Sequence, residues 1–131
     1  MIVDASAVLA VVFEETDSER YLDAIVDAAQ CRMLAANWLE AAMVVDGKGD
    51  LEIGRRFDQL FQETRIELVT FTPEHARIAR RAWQRFGKRR HPAHLNYGDC
   101  MAYALAASTR EPLLFKGDDF SKTDILPALT D

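Results

Sequence analysis

Residues 1–13 read MIVDASAVLAVVF and set a carboxylate inside the chain's most apolar stretch. Ile2 and Val3 begin a run that resumes at Ala7 and continues to Phe13, with Asp4 inside it and Ser6 two residues later. Burying an unpaired charge costs several kcal/mol unless a partner compensates it. The apolar residues before Asp4 suit the end of a short buried strand, residues 2–4, and those after it a helix of about two turns, residues 6–13. A strand passing directly into a helix is the step from which parallel α/β sheets are built.

Working outward, the same step recurs. Thr16 and Asp17 are cap candidates for a helix in which Tyr21, Leu22, Ile25, Val26 and Ala29 recur at helical spacing. Residues 33–36 suit a second strand, and residues 37–45 a helix ended by Gly47 and Gly49. Residues 50–64 suit another helix, with Leu51, Phe57, Leu60 and Phe61 on one side. Residues 66–71 are β-branched and aromatic, hence a strand. Thr72-Pro73-Glu74 is a helix start, a hydroxyl cap followed by proline at the first helical position, and this helix extends to about Phe86. After a polar loop over residues 87–94, Asn96 opens a helix through Ala107. Residues 113–115 form a strand, residues 117–124 a loop, and residues 125–129 a last edge element. The expected fold is a three-layer α/β sandwich around a mostly parallel sheet. It forms one domain over residues 1–131, without repeat or linker.

Composition excludes several classes. Hydrophobic residues make up 49% and charged residues 28% of the 131, as in ordinary globular domains, and no apolar run approaches the ~20 residues that span a bilayer. No basic region precedes the first apolar run and no small-residue cleavage site follows it, which argues against a signal peptide. Cys31 and Cys100 stand alone without CxxC spacing and read as reduced, buried thiols of a cytoplasmic protein. Beside Asp99, Cys100 makes a poor nucleophile, because a neighbouring carboxylate raises a thiol's pKa. The net charge of −5 hides an asymmetry: residues 75–94 carry seven basic side chains and no acid, and all three histidines.

The acids gather at strand exits. Asp4 follows the first strand, Glu40 the second by about one helical turn, and Asp118 and Asp119 the last, while Asp99 sits in the first turn of the helix after the basic loop. In parallel α/β sheets ligands bind outside the carboxyl ends of the strands. Plainer roles compete: Asn37-x-x-Glu40 and Asn96-x-x-Asp99 both fit helix caps, and Asp118-Asp119 fits a turn. Asp4 resists such a reading, because a cap there needs no charge. Carboxylates within ~4–6 Å of one another repel unless a cation intervenes, and an all-oxygen set suits Mg²⁺ or Mn²⁺. No His/Cys set has zinc spacing. His91 and His94 belong to the basic segment, in contact with a polyanion or solvated.

Four segments, MIVDASAVLAVVF (1–13), ANWLEAAMVV (36–45), LNYGDCMAYALA (95–106) and LLFKGDDFSKTDI (113–125), together resemble the PIN-domain ribonucleases. Within that family they are most similar to the VapC toxins of toxin–antitoxin pairs. The resemblance spans essentially the whole chain in order and length. It implies a parallel α/β sandwich whose acidic pocket binds Mg²⁺ or Mn²⁺ and cuts RNA endonucleolytically, leaving a 5′-phosphate and a 3′-hydroxyl. Translation is inhibited when the RNA cut is a transfer or ribosomal RNA. Asp4, Glu40 and Asp99 match the family's three most constant acids and Ser6 its small hydroxyl residue. For the fourth acid both Asp118 and Asp119 stand open, since the place one residue earlier is Gly117. The resemblance further implies a VapB-type antitoxin whose tail crosses the site, and a homodimer or a hetero-oligomer with that antitoxin.

On this basis Asp4 and Asp99 hold the principal metal, Glu40 ligates it through water or orients the attacking water, and Asp118 or Asp119 supports a second ion. Ser6 hydrogen-bonds the phosphate or a metal-bound water. Arg80, Arg81, Arg85, Lys88, Arg89 and Arg90 would draw RNA toward an otherwise repelling pocket, against the plainer reading of a solvated helix face. Trp83 and Tyr97 are candidates to stack on bases, with core packing the rival for Trp83. Leu39, Met43, Val44, Phe57 and Phe61 line either an antitoxin groove or the core. A dehalogenase-type phosphatase would need an acid where Ser6 stands. A receiver domain would need an acidic pair at the first strand and a mid-sheet phosphoacceptor that the chain lacks. The remaining alternative is a PIN-like module that binds RNA or a protein partner without cutting.

Overall fold

The computed structural model describes residues 1–130, which form four strands and six α-helices. In chain order these are β1 (Ile2–Val3), α1 (Ala5–Val12), α2 (Ser18–Asp27), β2 (Cys31–Leu34), α3 (Ala35–Gly47), α4 (Leu51–Glu63), β3 (Ile66–Val69), α5 (Pro73–Phe86), α6 (Tyr97–Thr109) and β4 (Leu113–Leu114). A 3₁₀ turn follows at Phe120–Lys122. The strands pair in parallel throughout, in the order β3-β2-β1-β4. The chain therefore builds outward from β1 to β3 and then crosses back to lay β4 on the far side of β1. That reversal puts the topological switch point between β1 and β4, where such sheets bind ligands.

Side-chain alternation makes the three layers. Ile2, Leu34 and Leu113 join Ala82, Phe86 and Leu105 in a core beneath α5 and α6. Val3, Met33 and Leu114 turn the other way, into a core with Val8 of α1, Ile25 of α2, Val45 of α3 and Leu60 of α4. Strands covered on both faces have no solvated side to mark with polar residues, which is why β1 and β4 read as unbroken Ile-Val and Leu-Leu.

Helix starts follow the local chemistry. The Thr72 hydroxyl accepts from the His75 amide while His75 Nδ1 accepts from the Thr72 amide, and Pro73 opens α5 as expected. Asp50 caps α4, accepting from the amides of Glu52 and Ile53. Asp17 precedes α2 but makes no side-chain cap bond. Its carboxylate instead pairs with Lys116 Nζ at 2.9 Å, beside Glu15 at 2.5 Å.

The structure departs from expectation at further places. β2 and α3 both begin two residues before the expected starts, because Arg32 is a strand residue. It lies opposite Ile2 in the sheet, and its guanidinium is neutralised by Glu111. Leu51 is 86% exposed rather than on the apolar side of α4, since the helix seats itself through Phe57 and Leu60 further along. The expected last edge element reduces to one isolated parallel bridge, Leu113 with Pro127, held by Leu113 N to Leu126 O and Ala128 N to Leu113 O, both 2.9 Å. Among the described residues no helix is long and apolar enough to cross a membrane.

Candidate active site

At the switch point the chain's first and last strands are tied together through Ser6. The Asp4 amide donates to Leu114 O at 2.9 Å, continuing the β1–β4 pairing one residue beyond the strand. Asp4 Oδ2 then caps α1, accepting from the Ser6 amide at 3.0 Å and from the Ser6 hydroxyl at 2.5 Å. The same hydroxyl accepts from the Lys116 amide at 3.0 Å, just past β4. One small side chain thereby fixes the direction of the carboxylate and anchors the loop that carries Asp118 and Asp119.

Asp4 is only 4% exposed, and burial, with a contribution from the Glu40 charge, pushes it up to about 6 despite the Ser6 bonds that favour its anion. Asp99 is likewise pushed up to about 6, first by burial and then by the charges of Asp4 and Asp119. Glu40 is raised by burial and by Asp99, against a lowering hydrogen bond from Asn37. Glu40 thus bears on Asp4, Asp4 on Asp99 and Asp99 on Glu40, and Asp119 joins through Asp99. Asp118, exposed on the same loop, enters none of these interactions.

Asp99 also serves the cap expected of it: its Oδ2 accepts from the Asn96 amide at 3.0 Å while Asn96 Oδ1 accepts from the Asp99 amide at 2.9 Å. The cap expected of Asn37 and Glu40 is absent, because α3 starts earlier and puts Asn37 inside it. Asn37 is wholly buried, donating through Nδ2 to Gly98 O at 3.0 Å and to Glu40 Oε1 at 3.5 Å. Its Oδ1 is buried without a hydrogen-bond partner among the described residues. The Glu40 carboxylate lies against Gly98: a Cβ there would stand 2.1 Å from Oε2. Asn37 and Gly98 are the site's overlooked members. The signal for them was a glycine in the first turn of an apolar helix, directly before a candidate acid.

A hard divalent cation suits this donor set. Every titratable member is a carboxylate, and no ion pair among the described residues neutralises Asp4, Glu40, Asp99 or Asp119. The orphaned Asn37 oxygen adds an unsatisfied acceptor beside them. No three His, Cys, Asp or Glu side chains among the described residues stand close enough to form a finished coordination cage. An ion held by one or two carboxylates and its own waters, as Mg²⁺ prefers, meets that arrangement. Cys100 is unsuited to nucleophilic attack, its thiol raised to about 11 by burial and by Asp99.

Arg80, Arg81, Arg85, Lys88, Arg89 and Arg90 are all exposed along α5 and the following loop. Arg85 is partly occupied, 3.4 Å from Asp124 and over the Phe86 ring. The others make no ion pair among the described residues. His94 is exposed, while His91 turns its edge to Phe86 and accepts from the Ala93 amide. The five suggested groove residues divide. Leu39, Met43 and Val44 are exposed on α3, whereas Phe57 and Phe61 pack with Trp38 against the core.

An all-parallel α/β sandwich with mutually repelling acids at its switch point defines a class, and residues 1–126 match the family described as PIN domain. Ribonuclease VapC28 of Mycobacterium tuberculosis is 45% identical over 130 residues, covering 98% of each chain. The chain belongs to the VapC family of PIN-domain proteins. Among solved structures it is similar to Mycobacterium tuberculosis VapC20, described as a sarcin–ricin loop cleaving toxin, with a TM-score of 0.76, 12% identity and 95% of each chain covered. It is also similar to a chain of a Klebsiella pneumoniae toxin–antitoxin complex, with a TM-score of 0.70, 15% identity and coverage of 94% and 92%.

Proposed function

We propose that this chain is a divalent-metal-dependent endoribonuclease, the toxin of a toxin–antitoxin pair, acting in the cytoplasm on a transfer or ribosomal RNA and so inhibiting translation. The observation that carries this is the gathering of Asp4, Glu40 and Asp99 at the switch point, each raised first by burial and then by the charge of one of the others, with no ion pair among the described residues to relieve it. The names of relatives that share nearly half of its residues support the ribonuclease class.

Asp4 and Asp99 would hold the principal Mg²⁺ or Mn²⁺, and Glu40, whose charge acts on Asp4 and which feels that of Asp99, would orient an attacking water. Asp119, coupled to Asp99, is the better candidate than Asp118 for the fourth acid. A bound divalent ion activates water and neutralises the scissile phosphate. Ser6 holds Asp4 in place and leaves its hydroxyl between the β1 and β4 exits. The exposed cations of α5 and its loop draw the polyanion toward an acidic pocket. An antitoxin of the VapB type is the expected partner, in keeping with the Klebsiella pneumoniae complex, and the exposed Leu39, Met43 and Val44 offer it an apolar strip.

The test is digestion of purified cellular RNA by the antitoxin-free protein with Mg²⁺ or Mn²⁺, with EDTA, and with Asp4→Asn. Discrete fragments that require the metal and vanish in the variant are expected, and their ends name the target. Folded wild type that binds RNA but leaves it whole would mean a non-cutting binding module.

A further inference from the structure

We infer that Glu15 and Asp17 are positioning residues that hold the Lys116 ammonium out of the acidic site and so keep it open to a divalent ion. That the acids take such an ion is the function proposed above, on which this inference rests. Lys116 leaves β4 beside the acids. Its amide donates to the Ser6 hydroxyl at 3.0 Å, and that hydroxyl donates to Asp4 Oδ2 at 2.5 Å. Two hydrogen bonds therefore separate the Lys116 backbone from the buried carboxylate of the site, and Asp118 and Asp119 follow it by two and three residues. An ammonium on a flexible four-carbon stem, beside carboxylates that no ion pair among the described residues neutralises, is drawn toward them. Lodged there, it would supply the positive charge that a metal otherwise brings, and compete with it.

The structure sends this cation elsewhere. Lys116 Nζ lies 2.5 Å from Glu15 Oε2 and 2.9 Å from Asp17 Oδ1, in the turn between α1 and α2. The three side chains are only 33–37% exposed, so solvent screens their attraction less than on an open surface. Asp17 stands at the N-cap position of α2 yet makes no cap bond, forgoing the usual stabilisation of a helix start. It takes a further hydrogen bond from Tyr21 instead. The pairing raises the Lys116 pKa, first through Glu15 and then through Asp17. The charges that raise Asp4, Glu40 and Asp99 are one another's and that of Asp119, not those of Glu15 or Asp17. Neutralising the pair therefore reaches the site through Lys116.

The test is Mn²⁺ binding to RNA-free protein by titration calorimetry, with circular dichroism as the check on folding. Glu15→Gln with Asp17→Asn should weaken Mn²⁺ about tenfold, the scale of coupling between neighbouring charged groups. Adding Lys116→Met should restore the affinity, since no ammonium then remains to enter the site. Lys116→Met alone should bind Mn²⁺ at least as tightly as the wild type. Should the double variant unfold, Glu15→Gln with and without Lys116→Met makes the same comparison. Glu19→Gln with Asp27→Asn removes the same charge from exposed positions of α2 and should change nothing. An equal loss there would overturn the inference in favour of overall charge. Weakened Mn²⁺ binding in Lys116→Met alone, with none regained in the triple variant, would overturn it in favour of a clamp that merely supports the loop. Tighter binding of a short RNA by the double variant, at unchanged Mn²⁺ affinity, would overturn it in favour of a lysine that contacts phosphate. A wild type that binds no Mn²⁺ removes the metal site and this inference with it. Cleavage by the wild type is scored separately. Cut RNA with every variant equal in Mn²⁺ affinity sinks the inference and spares the nuclease, whereas the expected affinities with uncut RNA do the reverse.

Discussion

Glu40 owes its position to what Gly98 lacks. An added methyl group would lie 2.1 Å from the Glu40 carboxylate, and since that carboxylate ends a flexible side chain, the fold survives by swinging it away. Gly98→Ala should therefore keep a native circular dichroism spectrum while cutting RNA at least about tenfold more slowly, the scale of a displaced acid–base group. The two adjacent aspartates offer a sharper contrast. Asp119 raises Asp99 and Asp118 does not, so Asp119→Asn should lower the cleavage rate far more than Asp118→Asn, and equal losses would refute the assignment. Asp4 stood out in the sequence as a carboxylate interrupting an apolar run, but the plain role set aside there, that of a helix cap, is one it does fill, at the start of α1. Asp118 and Asp119 were not separable in the sequence, because adjacent residues of one exposed loop differ only in the charge felt by Asp99, which it does not carry.

At the level of elements, two helices begin with the same reciprocal cap but with different stakes. Thr72 and His75 close the start of α5, and Asn96 and Asp99 close the start of α6. Thr72→Ala and Asn96→Ala should each lower the unfolding free energy by about 1 kcal/mol, read by denaturant titration. Only Asn96→Ala should also impair cleavage, because it frees Asp99 to turn. The Asn96–Asp99 cap and the Thr72 hydroxyl were readable from their residue types, whereas the return bond from the Thr72 amide to His75 was not. The start of β2 was not, since Arg32 broke the apolar pattern, and its partner Glu111 lies far along the chain, before β4. The Asn37 cap failed for a related reason: moving the strand moved the helix start, and Asn37 went from the end of α3 to its buried interior.

For the molecule as a whole, the clustered acids tie folding to pH. Asp4 has a folded value of about 6 against 3.8 unfolded, so the native state binds its proton more tightly. That contribution is complete below 3.8 and is lost as pH rises through about 6. Metal-free protein should accordingly be more stable at about pH 5 than at about pH 7.5, by about 1 kcal/mol from Asp4 alone. Millimolar Mg²⁺ should raise the melting temperature at the higher pH and little at the lower, where protons hold its sites. A melting temperature indifferent to both would mean that the acids are already compensated. The sequence offered a gathering of the acids only as a conditional, because it depends on β4 crossing back beside β1. The crossing has a consequence in time. Asp4 and Glu40 leave the ribosome early, yet Ser6 receives its bond from Lys116 only once β4 has been made. On the proposed nuclease reading, the centre that cuts RNA is therefore the last part of the chain to be completed, after nearly all of it has left the ribosome.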